Sequence, residues 1–517
     1  MGSRRAISSK VAAAAGHIDS NPRRTHRELH SRLQTLLTTL GGTSGSSTGD
    51  LLDGIAFALA DGAVDKMWLA LAVLSGQLPD TPTLVRACRQ AELDGPLAAL
   101  GSCLSGRDDP SGGGGVVRRR VEVLTDRVVV DLHHTSGANF TTGIQRVARE
   151  VARRWTTTHD PVLVGWTKDY SALHQLPEAT AGGSQGDNGT RPSAISPADS
   201  DRTTIVVPWR CTYILPELLG EAGRVDRFQC LAHHSGNHSA VIGFDCVPMT
   251  TGETSIVGMG ADFAHYLAAV AHTERVAAIS EAAAREFQGW RHMLEGAGLA
   301  GPDIAAVPLP VESPPPSDVA MEMAREQLAI VGMPMVLVVG SHEPRKNHRA
   351  VLHAAELLWR DGLTFSLLFV GGNSWNSERF TRALHDLQAA GRPVHAVRAL
   401  TDDLLRAAYA IAYCTLFPSF NEGFGLPVAE SIASGTPVIT SNFGSMREIA
   451  QPGGALLVDP RDDHDIARAL KSLLTDDALR ASLARETRAR PQRTWEDYAE
   501  ESWNYLVHGR PPRPPGQ

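Results

Sequence analysis

The 517-residue chain carries 49 Lys and Arg against 57 Asp and Glu, a formal net charge of −8, with its cations scattered rather than massed. That balance argues against a dedicated nucleic-acid binder, and the length calls for more than one domain with sizeable cores. Six cysteines (Cys88, Cys103, Cys211, Cys230, Cys246, Cys414) make no C-x-x-C pair and no regular framework, which fits reduced thiols in a cytoplasmic protein better than disulfides.

From the N-terminus, Arg4-Arg5 ahead of Val11–Ala15 has the start of a twin-arginine leader, but Gly16, His17 and Asp19 break the apolar run at once. No run approaches the length of a membrane span, so the expected location is cytoplasmic, with peripheral contact at the inner membrane face left open. Residues 1–105 read as a helical extension: Leu29, Leu33, Leu36 and Leu37 recur at helical spacing, and further helices are predicted near 51–59, 66–74 and 82–93. Residues 106–120, with four consecutive glycines, read as a flexible linker.

The first α/β domain is predicted over 121–312. Arg127–Leu132 has the signal of a buried strand, and Gly143 then opens a helix with Ile144, Val147, Ala148, Val151 and Trp155 on one face. Strand, glycine loop and helix make a βα unit, although no full G-x-G-x-x-G is present. Strands at 161–166 and 203–207 flank a Gly/Ser/Asn/Asp/Pro-rich insertion at 181–201. The apolar run Ala240–Asp245 ends in an acid at its carboxyl edge, where open parallel sheets hold ligands. Helices at 263–271 and 280–290 flank a strand at 275–279, and 304–309 is the last strand of the domain. Glu312-Ser-Pro-Pro-Pro316 is a stiff boundary.

A second domain follows over 318–490, with strands at 336–339, 365–370 and 394–397 alternating with helices at 348–359 and 402–412, the latter capped by Thr401. That alternation predicts a parallel, doubly wound sheet. Within it, Tyr413–Phe417 is a buried strand and Asn421-Glu-Gly-Phe-Gly425 a turn whose glycines let backbone approach a ligand. Pro427 suits the first turn of a helix that Gly435-Thr-Pro437 ends. A strand, a glycine turn and a helix N-terminus together suit an anion or a polyhydroxyl ligand. Glu422 in the turn and Glu430 on the helix place two carboxylates at one mouth, each able to accept from sugar hydroxyls. Upstream, Gly340-Ser-His-Glu-Pro-Arg345-Lys346-Asn347 lies in another βα loop, and its adjacent cations suit a diphosphate. Helices at 461–474 and 478–488 and a closing helix within 491–509 complete the chain, and the Pro-rich tail 510–517 reads as disordered.

FPSFNEGFGLPVAESIASGTPVI, with Glu422 and Glu430, resembles the retaining family-4 glycosyltransferases, densely over 336–459 and loosely over 128–310. The resemblance implies an α/β GT-B fold of two facing Rossmann-like doubly wound domains, here with an N-terminal helical segment added. It also implies the roles of the site residues. Glu422, with the amides of Gly423, Phe424, Gly425 and Leu426, would touch the donor sugar, Glu430 the ribose, and Arg345 and Lys346 the diphosphate. The run Thr142-Gly143-Ile-Gln-Arg146 resembles a segment near the start of bacterial members, placing Gly143 opposite the donor phosphates. The loop at Arg398 would hold the base through its main chain. Where the family often has a His-Asp pair followed by proline, this chain has Phe244-Asp245, so a histidine role is lost there while Asp245 stays a catalytic candidate.

The reaction implied is front-face substitution with retention, moving a sugar (mannose, from the Gly143–Arg146 resemblance) from a GDP- or UDP-sugar to a saccharide, lipid-linked or small-molecule acceptor. The donor is a substrate, and neither cofactor nor metal is expected. His233, His234 and His238 fit no zinc spacing. The alternatives are a sucrose- or glycogen-synthase-like glucosyltransferase, or a non-catalytic scaffold on the same fold. Glu422, Glu430, Arg345 and Lys346, all intact, speak against the scaffold.

Overall fold

A computed structural model describes residues 22–43, 45, 47–105, 119–137, 142–177, 204–490 and 493–512. The insertion at 181–201 and all but the end of the glycine linker lie outside the described residues.

The first sheet comprises β1 (Val121–Leu124), β2 (Val128–Asp131), β3 (Val162–Trp166), β4 (Leu173–Gln175), β5 (Ile205–Pro208), β6 (Thr212–Leu215), β7 (His238–Gly243), β8 (Arg275–Ala278) and β9 (Asp303–Ala306). They lie in the order β1-β5-β4-β3-β2-β6-β7-β8-β9. All the pairings are parallel except those of β4, which runs antiparallel to β3 and β5. Sequence reading misses β1, β4 and β6: β1 and β4 are short and lack a continuous apolar run, whereas the apolar Tyr213–Leu215 of β6 is passed over. It also overextends β9, which stops at Ala306 ahead of Pro308 and Pro310, neither of which could donate to a ladder.

The second sheet comprises β10 (Met335–Val339), β11 (Ser366–Val370), β12 (Val394–Val397), β13 (Cys414–Phe417), β14 (Val438–Ser441) and β15 (Ala455–Val458). Its order is β12-β11-β10-β13-β14-β15, and every pairing is parallel. The direction of winding reverses between β10 and β13. A crevice opens at such a point, outside the carboxyl ends of the two strands. The two loops it brings together are the ones that carry Arg345-Lys346 and Glu422.

The helical extension does not stand apart. Met67 to Leu74 on the helix Val64–Ser75 are buried in a row, and their apolar cluster runs unbroken into the core of the first domain. Polar ties fix the join: Leu78 N–H donates to the Ser171 carbonyl (2.8 Å), and Arg227 Nε donates to the Leu78 carbonyl (3.1 Å). At the other end, the closing helix Trp495–His508 lies on the first domain. Trp155 Nε1 donates to the Ala499 carbonyl (2.8 Å), and Arg275 Nη1 donates to the Leu506 carbonyl (3.1 Å).

Candidate active site

The loop after β10 and the loop after β13 are joined through their backbones before any charge is considered. Phe420 N–H donates to the Arg345 carbonyl at 2.9 Å, and Ser419 Oγ lies 3.0 Å from the same oxygen. Asn347, in the left-handed region at φ 57°, reaches back to donate to the Pro418 and Pro460 carbonyls. On this frame Arg345 and Lys346 converge on one carboxylate. Arg345 Nη1 donates to Glu422 Oε2 (2.6 Å), Lys346 Nζ to Oε1 (2.7 Å) and Ser419 Oγ to the same Oε1 (2.7 Å). Arg345 also holds the Asn421 carbonyl (2.8 Å) and Glu343 Oε1 (2.9 Å).

Burial alone would raise the Glu422 carboxyl, but Arg345 and Lys346 outweigh it and hold it at about 2. Arg345 is correspondingly raised: burial opposes its charge, and Glu422 and Glu343 more than compensate. The cations expected on a diphosphate and the acid expected on a sugar are thus in direct contact. Lys346 Nζ, 5.0 Å from the Phe417 ring centre, keeps further N–H donors for an incoming anion.

The first domain closes over this wall. Ser280 Oγ donates to the Gly423 carbonyl (2.6 Å) and also caps the helix Glu281–Gly296 by accepting from Ala283 N–H. Glu448 accepts from the amides of Glu281 and Ala282 at the start of that helix (3.1 and 3.0 Å). Asn421 Nδ2 donates to Glu286 Oε1 (2.9 Å) and Thr250 Oγ1 (3.1 Å). The approach is so close that a Cβ on Gly423 would stand 2.3 Å from the Phe244 carbonyl and 3.0 Å from Asp245 Oδ2. This, beyond turn flexibility, is why glycine is needed there. Gly425 is required for a different reason, since it opens the helix Leu426–Ala433 at φ 99°.

Asp245 therefore faces the turn from the opposite domain. Burial raises its carboxyl to about 6, against the pull of Arg345, and its Oδ1 accepts from Val247 N–H (3.0 Å). Gly143, at the start of the helix Gly143–Thr158, also lies at the domain junction: a Cβ there would meet Leu426 at 3.4 Å. One turn along both helices, Arg146 is ion-paired with Glu430, whose other oxygen accepts from Tyr409 OH (3.0 Å). Phe424 is buried at the junction. Arg398 stands exposed just past β12 and makes no hydrogen bond among the described residues, so the structure does not tie its side chain to the acids.

Sequence reasoning missed Arg146 as a partner of Glu430, and Ser280, Glu286 and Glu448 altogether. Two groups of histidines serve the fold. His133 Nδ1 accepts from Trp166 N–H (3.1 Å), and burial beside Arg224 lowers its imidazole to about 4. Beneath it, Asp131 and Arg224 form a buried ion pair (2.9 Å) braced by Tyr213 OH and Trp166 Nε1. His233 stacks on both His234 and His272, and no three-residue metal-holding group occurs among the described residues.

Two opposed doubly wound domains with a charged turn between them define a class that the comparisons make explicit. Residues 321–490 match the family model described as glycosyl transferases group 1. The sucrose-phosphate synthase of Thermosynechococcus elongatus superposes with a TM-score of 0.50 at 15% identity, covering 74% of this chain and 97% of that one. The match to glycosyl transferases group 1 thus spans most of the second domain, and the chain as a whole has the GT-B fold.

Among curated relatives, the serotype-specific mannosyltransferase WbdA of Escherichia coli is 26% identical over 372 residues, covering 69% of this chain and 44% of the relative. The O-antigen chain mannosyltransferase B of Escherichia coli is 32% identical over 194 residues, 37% of this chain and 49% of that protein. A D-inositol 3-phosphate glycosyltransferase of Acidothermus cellulolyticus is 37% identical over 195 residues, 36% of this chain and 43% of that protein. The chain matches less than half the length of each of these relatives.

Proposed function

We propose that the chain is a retaining family-4 glycosyltransferase that moves mannose from a nucleotide-sugar donor to a saccharide or lipid-linked acceptor, with no catalytic metal. The observation that carries this is the Arg345–Glu422–Lys346 cluster at the point where the second sheet reverses its winding, roofed by Asp245 of the other domain. The mannosyltransferase names of the relatives favour mannose, and the donor nucleotide is taken as GDP or UDP.

As the bond to the anomeric carbon breaks, negative charge grows on the leaving diphosphate. Arg345, Lys346 and the N-terminal amides of the helix Leu426–Ala433 are the groups that would stabilise it. Glu422 Oε1 already accepts two hydrogen bonds and Oε2 one from a side chain, so a sugar hydroxyl has a place on Oε2. As Lys346 turns toward the phosphates, a second place opens. Asp245, raised to about 6, is the acid on the acceptor side of the cleft. The proton of the attacking hydroxyl passes to the leaving phosphate, and the acceptor adds from the face the phosphate leaves.

A donor screen with mass detection of product tests this reading. GDP-mannose should give hexose transfer to an oligosaccharide or lipid-linked acceptor with the anomeric configuration kept. An inverted product, or no nucleotide sugar consumed across GDP-, UDP- and ADP-sugars, removes it.

A further inference from the structure

Glu430 is held from two sides in a way the donor reading leaves unexplained. Its Oε1 is paired with Arg146, which comes from the first domain 284 positions earlier in the chain, and its Oε2 accepts from the buried Tyr409 OH at 3.0 Å. A carboxylate offers about four lone-pair positions, two on each oxygen. The two bonds fill one position on each oxygen and leave one on each, matched to a pair of vicinal hydroxyls. The Glu430 side chain is 15% exposed, so it is not sealed off from solvent.

Tyr409 lies on the helix Asp402–Ile411 of the same domain as Glu430, and its hold does not depend on closure. Arg146 sits in the first turns of Gly143–Thr158, whose start is pinned by a capping box between Thr142 and Gln145. It can reach Glu430 only while the first domain is docked, as it is through Ser280–Gly423 and Asn421–Glu286.

We propose that Arg146 and Tyr409 are positioning residues for the ribose-binding carboxylate, so that recognition of a ribose diol is completed by closure of the cleft. The inference rests on the nucleotide-sugar reading and adds to it a source of ribose selectivity located in the opposite domain.

Titration calorimetry with UDP and GDP, and with their 2′,3′-dideoxy counterparts, tests it on the full chain. For whichever diphosphate binds, Arg146→Ala should weaken the ribonucleotide about tenfold or more, the scale of a lost charge-assisted bond, and leave the dideoxy compound unchanged. Arg146→Lys should recover part of the loss, and Tyr409→Phe should lose part of the same discrimination. Glu430→Gln should erase the ribo-to-dideoxy ratio, after which Arg146→Ala should add nothing. Equal losses on both compounds would assign Arg146 to the phosphates or to the fold, and tighter ribonucleotide binding would make it a plug. Either result overturns the proposal. If the parent chain binds neither diphosphate, it is the nucleotide-sugar reading that fails.

Discussion

Glu422 concentrates the residue-scale chemistry: one nearly buried carboxylate with two cations and a hydroxyl on it. Its depressed pKa makes a contribution to stability that is complete above the ordinary glutamate value and is lost as the pH falls through about 2. Glu422→Gln leaves Arg345 and Lys346 facing each other without the intervening charge. The expected cost is about 3 kcal/mol at neutral pH, read by denaturant unfolding. Lys346→Ala should instead spare the fold and abolish most of the thermal shift given by a nucleoside diphosphate, with turnover falling about a hundredfold or more.

Asp245 has the opposite sign. Its folded value of about 6 lies above that of an unfolded aspartate, so the native chain retains a proton that the unfolded chain loses. Its stabilising contribution is full below about pH 4 and is lost as the pH rises through 6. Asp245→Asn should therefore melt higher than the parent above pH 6, by at most about 3 kcal/mol, while losing activity. A variant that melts lower at pH 7.5 and not at pH 4 would reverse this account.

The governing element is the turn Asn421–Gly425, because its two glycines answer to different constraints. At Gly423 the obstacle to a side chain is the Phe244 carbonyl of the other domain. Gly423→Ala should thus leave the second domain folded but hold the cleft ajar, seen as a larger radius of gyration in solution scattering and a loss of turnover. Gly425→Ala strains a φ of 99° within its own domain, and should cost about 1–2 kcal/mol in melting with no such change of shape.

The turn, the helix after it and the Arg345-Lys346 loop were legible in sequence because each is encoded within a short window. Pro418 bounds a strand, Gly425 and Pro427 open a helix, and Thr401 caps the next one back by accepting from Leu404 N–H. The contacts that complete the site were not legible for the opposite reason. Glu286 meets Asn421 across 135 positions and Arg146 meets Glu430 across 284, and no local periodicity marks either pair. The short strand β4 escaped because tertiary pairing, rather than an apolar run, makes it a strand.

At the scale of the molecule, the helical extension is part of the first domain's interior. Residues Met67 to Leu74 lie in the same apolar cluster as Val129, Val206 and Phe228. Removing residues 1–105 should consequently give insoluble protein rather than a trimmed enzyme, checked by the soluble fraction on expression.

The return of the closing helix to the first domain has a mechanical consequence. The backbone passes between the lobes near 312–317 and again just ahead of Trp495, and the two passages touch: Trp495 N–H donates to Glu312 Oε2 at 3.0 Å. A single tether would let the lobes swivel freely. Two adjacent tethers leave mainly one rotation, about the line through both, much as paired knuckles constrain a door. Opening would then sweep each residue along an arc set by its distance from that line.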